Sequence, residues 1–386
     1  MPQRQARPRR RRLQHLLPDL SHRRSAPHER RFFSLVSWRL LFQRALFPSQ
    51  THSPGHHTIA SRMARRLPLI LSFLSVFLFT VTPLAADQAT NADSVLRIGD
   101  QKGGLHALMA AANVLGDLPY RIEWLVFPAA APLLEALRTG AIDAGGVGDG
   151  PFVFAAAAAA PIKAVYAYRS DGSNTAIVAS ANSAIHAPAD LKGKSIATGR
   201  GSIGHYILVK TLDAATLSPQ DVKPVFLSPA DSRAALKSGS VEAWATWEPY
   251  TALTEIQDGS HIIIDGGKGF LSGLGYLVAS DKAIASNATQ LADFIHRLSR
   301  AHRWAKTHLQ DYAEVWSKET GFPVEVALLA LKRMNATPEL IDGAITNEQQ
   351  KTADVYFGAG IIPKRLDAAL SFDTRFNASI ASDDTR

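Results

Sequence analysis

The chain has 386 residues, 46% hydrophobic and 20% charged, enough for a sizeable core and for two lobes. Its formal net charge of +8 is unevenly placed: residues 1–66 hold 15 of the 42 Lys and Arg, all Arg, but only Asp19 and Glu29, so the rest carries 27 bases against 32 acids, a balance of −5. A nucleic-acid-binding basic surface is thereby excluded for the body of the chain, and zero cysteine excludes disulfides, thiolate metal sites, a thiol nucleophile and a lipid-modified cysteine anchor.

In chain order, residues 1–62 read as an Arg-rich leader lying upstream of a true start at Met63, the alternatives being a disordered arm or an organellar transit segment, which is also Arg- and Ser-rich and poor in acids. "MARRLPLILSFLSVFLFTVTPLAADQA" then has the three parts of a secretory signal peptide over 63–86: basic Arg65 and Arg66, a charge-free run over 67–86, and a small-residue end before Asp87. The 20-residue run is also long enough to be an anchor. Pro83 and the alanine pair favour cleavage near Ala86, and a soluble exported chain without an anchor is expected in a periplasm.

From Val95 short apolar strands alternate with helices. "VLRIGD", "RIEWLVFP", "AIDAGGVGD" and "IKAVYAYR" read as strands, and "GGLHALMAAANVLG", "AAPLLEALRTG" and "PFVFAAAAAA" as helices. This pattern predicts an α/β sheet covered by helices, with ligands just beyond the carboxyl ends of the strands. "TAIVAS" (175–180) and "GYLVAS" (275–280) are near copies, and the alternation between them can close as an inserted lobe. The expected organisation is 95–180 with 275–380 as one lobe and 181–274 as the other, the two copies being the hinge crossings. After Ser280 the chain turns helical, with Leu291, Ile295, Leu298, His302, Ala305 and Leu309 on one stripe.

The stretch "GRGSIGHYILVKTLDAATL" (199–217) is a glycine-rich mouth ahead of an amphipathic helix. It lacks the Lys-Ser/Thr pair of a P-loop and the dinucleotide spacing. A strand-to-helix turn with Ser202 as N-cap explains it equally well. Two further glycine turns, at 100–104 and 145–150, hold the same topological position, so three helix N-termini are expected to face one cleft and to favour an anion such as a sulfonate. "VEAWATWEPY" offers Trp244, Trp247 and Tyr250 either as core or as a flat wall for a ligand's carbon portion, with Glu248 beside them as an acceptor or a cap. Arg233, near a helix start, is either solvent-exposed or opposite an anionic partner. No nucleophile elbow, zinc helix or closely spaced ligand set appears, and His106, His205, His296, His302 and His308 are scattered, so neither catalysis, a cofactor nor a metal is expected.

In order, "LRIGDQKGG", "FPAAAPLLEALRTGAIDAGGVGDGPFVFAAAA", "DLKGKSIATGRGSIGHYIL", "FLSPADSRAALKSGSVEAWATWEPY" and "QQKTADVYFGAGIIPKRLD" resemble signatures of periplasmic solute-binding proteins of sulfonate, taurine and nitrate ABC importers, most nearly the aliphatic sulfonate-binding group. The resemblance spans Val95 to Asp367. It implies the two-lobed type II periplasmic binding fold with two hinge crossings, a monomer that delivers an alkanesulfonate to an inner-membrane ABC permease as a sulfur source, and no chemistry of its own. It further implies that the anion is held at Gln101, Gly103, Gly148, Asp149, Gly201, Ser202 and His205, with Trp244 and Trp247 near the organic group. Two departures leave the exact ligand open: Ile203 and Gly204 stand where members are richer in serine, and "GVGDGP" has a glycine where some members carry a larger residue. The alternatives are taurine, nitrate or another small anion in the same fold, or an enzyme resembling thiamine-pyrimidine synthases. Stacking tryptophans speak against nitrate, and zero cysteine against the enzyme.

Overall fold

The structure, a computed structural model, describes residues 94–381; the expected leader and signal peptide lie outside them. The chain begins β1 (Val95–Gln101), α1 (Leu105–Ala111), β2 (Arg121–Phe127), α2 (Ala130–Thr139), β3 (Ala144–Gly148), α3 (Asp149–Ala157), β4 (Ile162–Arg169), as the apolar patterning predicts. A second alternation follows: β5 (Thr175–Ala179), β6 (Ser195–Thr198), α4 (Ile203–Ala214), β7 (Lys223–Phe226), α5 (Pro229–Ser238), β8 (Ala243–Trp247), α6 (Tyr250–Asp258) and β9 (His261–Asp265). Then come β10 (Leu274–Ser280), α7 (Asp281–Ser286), α8 (Ala288–Ala305), α9 (Leu309–Thr320), α10 (Val324–Met334), a short β11 (Thr337–Glu339) and α11 (Gly343–Gly358).

The strands sort into two sheets, in the orders β11-β4-β10-β3-β1-β2 and β7-β6-β8-β5-β9. Each contains a parallel trio, and in each the strand entered directly after a crossing runs antiparallel to both neighbours: β10 in the first, β5 in the second. These are the two near-copy segments. Every residue of strands β5 and β10 is buried. Strands covered on both faces read as continuous apolar runs, which is why the two look alike.

The pairing shifts the expected lobe boundary. β5 belongs to the second sheet, so the chain crosses at 170–174 rather than after Ser180, and returns at 266–273. The crossings run side by side, with the Ser170 amide donating to the Gly273 carbonyl (3.0 Å) and the Gly266 amide to the Thr175 carbonyl (2.9 Å). A Cβ on Gly172 (φ +88°) would sit 2.4 Å from the Gly266 oxygen, and one on Gly273 (φ +69°) 2.1 Å from the Ser170 oxygen. Only glycine permits both the left-handed turn and this approach.

One core joins the first sheet (Leu96, Ile98, Leu277) to the helical C-terminal part through Phe294, Leu298 and Trp316. The predicted stripe on α8 is buried from Leu291 to Ala305, but the helix stops there and Leu309 opens α9. A second core gathers Ile177, Ile196, Ile207 and Leu208 with Ala353 and Tyr356 of α11. α11 therefore ties the halves together: Gln349 accepts from Tyr276 of the first sheet (3.0 Å), and the Tyr356 hydroxyl donates to the Ser202 carbonyl at the start of α4 (3.2 Å).

Candidate functional site

The turns after β1, β3 and β6 and the end of β8 meet in a cleft of about 1110 Å³, its solvent mouth included. That is where ligands lie on open α/β sheets, since the strands' carboxyl ends and the following helix N-termini converge there. The first sheet's turns contribute Gln101, Lys102, Gly103, Gly148 and Asp149, and the second half contributes Ser202, Ile203, Trp247 and Tyr250.

Of the nine residues singled out from sequence, six line this cleft: Gln101, Gly103, Gly148, Asp149, Ser202 and Trp247. The Gln101 side-chain amide donates to the Gly146 carbonyl (3.1 Å), which bridges the β1 and β3 turns. Gly148 is the N-cap of α3, and a Cβ added there would stand 3.8 Å from the Ile203 side chain across the cleft. Asp149 turns its carboxylate inward, accepting from the Ser272 hydroxyl (2.6 Å), the Gly150 amide (2.7 Å) and the Thr352 hydroxyl (3.2 Å). What it offers a guest is main chain. Ser202 caps α4 as predicted: its hydroxyl accepts from the His205 amide (3.1 Å) and donates to the Gly199 carbonyl (2.7 Å). The first-turn amides of Ile203 and Gly204 have no acceptor within their own helix.

Gly201, His205 and Trp244 lie elsewhere. The Gly201 amide donates to Nδ1 of His205 (3.2 Å), and its glycine is explained by a left-handed φ of +67° and by the Phe154 ring, 2.9 Å from where a Cβ would lie. The His205 ring is buried, edge-on to Phe226, and burial followed by the Arg200 charge lowers its pKa to about 4. It is a neutral brace for the loop. Trp244 is 1% exposed and packs with Ala197, Leu236 and Val241 on the far face of the sheet. Side chains alternate along a strand, so tryptophans three apart on β8 must point oppositely, and only Trp247 reaches the cleft.

The electrostatics differ from the expectation of three open helix N-termini. Asp100, 4% exposed, already occupies that of α1: its two oxygens accept from the amides of Gln101 (2.8 Å), Leu105 (2.8 Å) and His106 (2.9 Å). Burial outweighs these bonds and pushes its pKa up to about 6. Of the three, the start of α4 stays open, whereas at α3 the Asp149 carboxylate already accepts from the first-turn Gly150 amide (2.7 Å) and Pro151 has no N–H, which leaves the Asp149 amide. Glu248 is similarly engaged, accepting from the Ala252 amide (3.0 Å) and pairing with Arg333 (2.8 Å), which also holds Glu255 (2.6 Å); burial raises its carboxyl despite the arginine. Lys102 is the one cation among the lining residues, its ammonium 4.3 Å above the Phe322 ring. Arg233 has an anionic partner after all, Asp258 at the end of α6 (2.7 Å).

Tyr168, Asn174, Thr175 and Met334 also line the cleft, although nothing in their local sequence marks them. They reach it because β4, the crossing and the end of α10 converge there. Among the described residues no cluster of three or more His, Asp or Glu could hold a metal ion.

The sequence model of the family described as NMT1/THI5 like matches residues 125–311. A relative in Escherichia coli (strain K12), named for the binding of aliphatic sulfonates, is 33% identical over 302 residues, 77% of this chain and 92% of the relative. The chain belongs to the aliphatic sulfonate-binding protein family. Its fold matches the alkanesulfonate-binding protein SsuA from Xanthomonas axonopodis pv. citri bound to MOPS, at a TM-score of 0.67 and 30% identity over 73% of this chain and 99% of that one. It also matches the periplasmic aliphatic sulphonate-binding protein SsuA of Escherichia coli, at 0.65 and 31% over 73% and 92%. These family members are binding proteins of the type II periplasmic fold. The fold alone extends to the desulfurization enzyme DszB, at 0.56 and 15% identity.

Proposed function

We propose that this member of the family is the periplasmic substrate-binding component of an ABC importer, exported by a signal peptide cleaved near Ala86, and that it captures an aliphatic sulfonate as a sulfur source. The observation that carries this reading is the division of the cleft. Glycine turns and helix starts at Gly148 and Ser202–Ile203 suit sulfonate oxygens, and Trp247 with Tyr250 (5.9 Å, edge-on) gives a flat apolar wall for the carbon portion. Permanent ionisation of a sulfonate suits amide donors, which need no proton exchange. Only a closed state lets both lobes touch the anion, so differential affinity drives closure about the 170–174 and 266–273 crossings. The chain then hands its cargo to a membrane permease and makes or breaks no bond: the acids nearest the guest and His205 are tied into internal hydrogen bonds.

The test is thermal unfolding with alkanesulfonates, taurine, sulfate, nitrate and a pyrimidine. A ligand at about a hundred times its Kd adds roughly 2.7 kcal/mol. Stabilisation by alkanesulfonates and not by sulfate or nitrate is expected. No response to any sulfonate, or turnover of a candidate substrate, overturns the reading.

A further inference from the structure

A second, smaller cavity, about 530 Å³ with its open mouth included, adjoins the cleft inside the first lobe, among α1, α8, α9 and α10. The two share Gly103, Gly104, Leu105, Tyr168 and the flexible side chain of Met334. The remaining walls are apolar, chiefly Leu108, Ala305, Tyr312 and Leu331, and no charged side chain lines them. The histidine present, His302, has Nδ1 in a hydrogen bond with the Tyr166 hydroxyl (2.8 Å) and stacks on Tyr168 (4.9 Å); burial lowers its pKa to about 4, so it is neutral too. One polar atom stands out. Asn335 Oδ1 is buried and has no hydrogen-bond partner.

A buried acceptor without a donor is costly, and an uncharged apolar cavity beside an anion site accepts hydrocarbon. We propose that this cavity is the tail pocket of the site: the sulfonate stays at the glycine turns, its chain passes Met334 into the space among the helices, and a neutral O–H or N–H at its far end donates to Asn335 Oδ1. This rests on the proposed function and narrows it. The ligand class is an alkanesulfonate of several carbons with a neutral hydrogen-bond donor; a tail ending in ammonium would bring a charge into an uncharged cavity, which disfavours it.

The experiment is calorimetric titration of the purified protein with ethanesulfonate, butanesulfonate, hexanesulfonate and a hexanesulfonate bearing a terminal hydroxyl. Affinity should rise roughly fourfold per methylene, about 250-fold from two carbons to six. Ala305→Phe, which fills the pocket, should bring hexanesulfonate down to the affinity of ethanesulfonate and leave ethanesulfonate unchanged; Leu309→Phe serves if that variant does not fold. Asn335→Leu should abolish any preference for the hydroxylated chain. A flat wild-type series, or an undiminished length dependence in a folded filled variant, overturns the tail pocket while leaving the sulfonate site standing. A hydroxyl preference that survives Asn335→Leu removes that residue from the pocket's function. Failure of ethanesulfonate itself to bind overturns the sulfonate reading instead.

Discussion

Replacing Asp100 by Asn probes the feature that most alters the electrostatics of the cleft. The native carboxyl titrates at about 6 and the unfolded one at 3.8. Between those values the native state keeps a proton that the unfolded state has lost, so this group's contribution is full below pH 3.8 and is lost as pH rises through 6. The loss is about 3 kcal/mol, from roughly two units at 1.36 kcal/mol each. Asn cannot ionise, which removes that slope. Its single oxygen can serve the Gln101 and Leu105 amides but leaves an NH2 against the His106 amide, a pH-independent cost of about 1–3 kcal/mol. The variant should therefore be less stable than wild type at pH 4 and near parity at pH 7. Urea unfolding across pH 4–8 reads the difference. Because an anion in the cleft favours protonated Asp100, sulfonate affinity of the wild type should also increase as pH falls through 6, and that of the variant should not. Parallel stability curves for the two proteins would refute the argument.

Trp247→Ala should weaken an alkanesulfonate about 5–30-fold by removing the flat wall, with little change in stability, whereas Trp244→Ala should cost about 3–5 kcal/mol of stability and leave affinity intact; paired titration and urea denaturation separate the two. Arg333→Met leaves buried Glu248 facing Glu255 without a cation and should cost about 3–5 kcal/mol, less at low pH, where the raised carboxyl of Glu248 takes up a proton. Gly201→Val should destabilise by at least about 1–2 kcal/mol through its left-handed φ and the Phe154 ring, yet the folded fraction should still be stabilised by sulfonate; loss of binding in folded protein would return that loop to the site.

Much was legible in the sequence because it depends on neighbours in the chain. Strand and helix periodicity, the Ser202 cap and the glycine turns at strand ends are local, and they located the cleft and two-thirds of its expected residues. The face on which Trp244 lies was also within reach, since the three-residue spacing on β8 requires opposite directions for the two tryptophans.

What only tertiary structure decided was where polar groups find partners. Asp100 and Asp149 both look like cleft residues, and whether their carboxylates meet a guest depends on amides and hydroxyls, some of them far along the chain at Ser272 and Thr352. His205 turns inward because Phe226 and the Gly201 amide wait there, and β5 joins the second sheet because β8 and β9 flank it. Tyr168 reaches the cleft through strand pairing and Met334 through helix packing, neither of which a short-range pattern encodes. Periodicity sets which elements form; burial and hydrogen-bond satisfaction, summed over contacts distant in sequence, set which side chains face the guest.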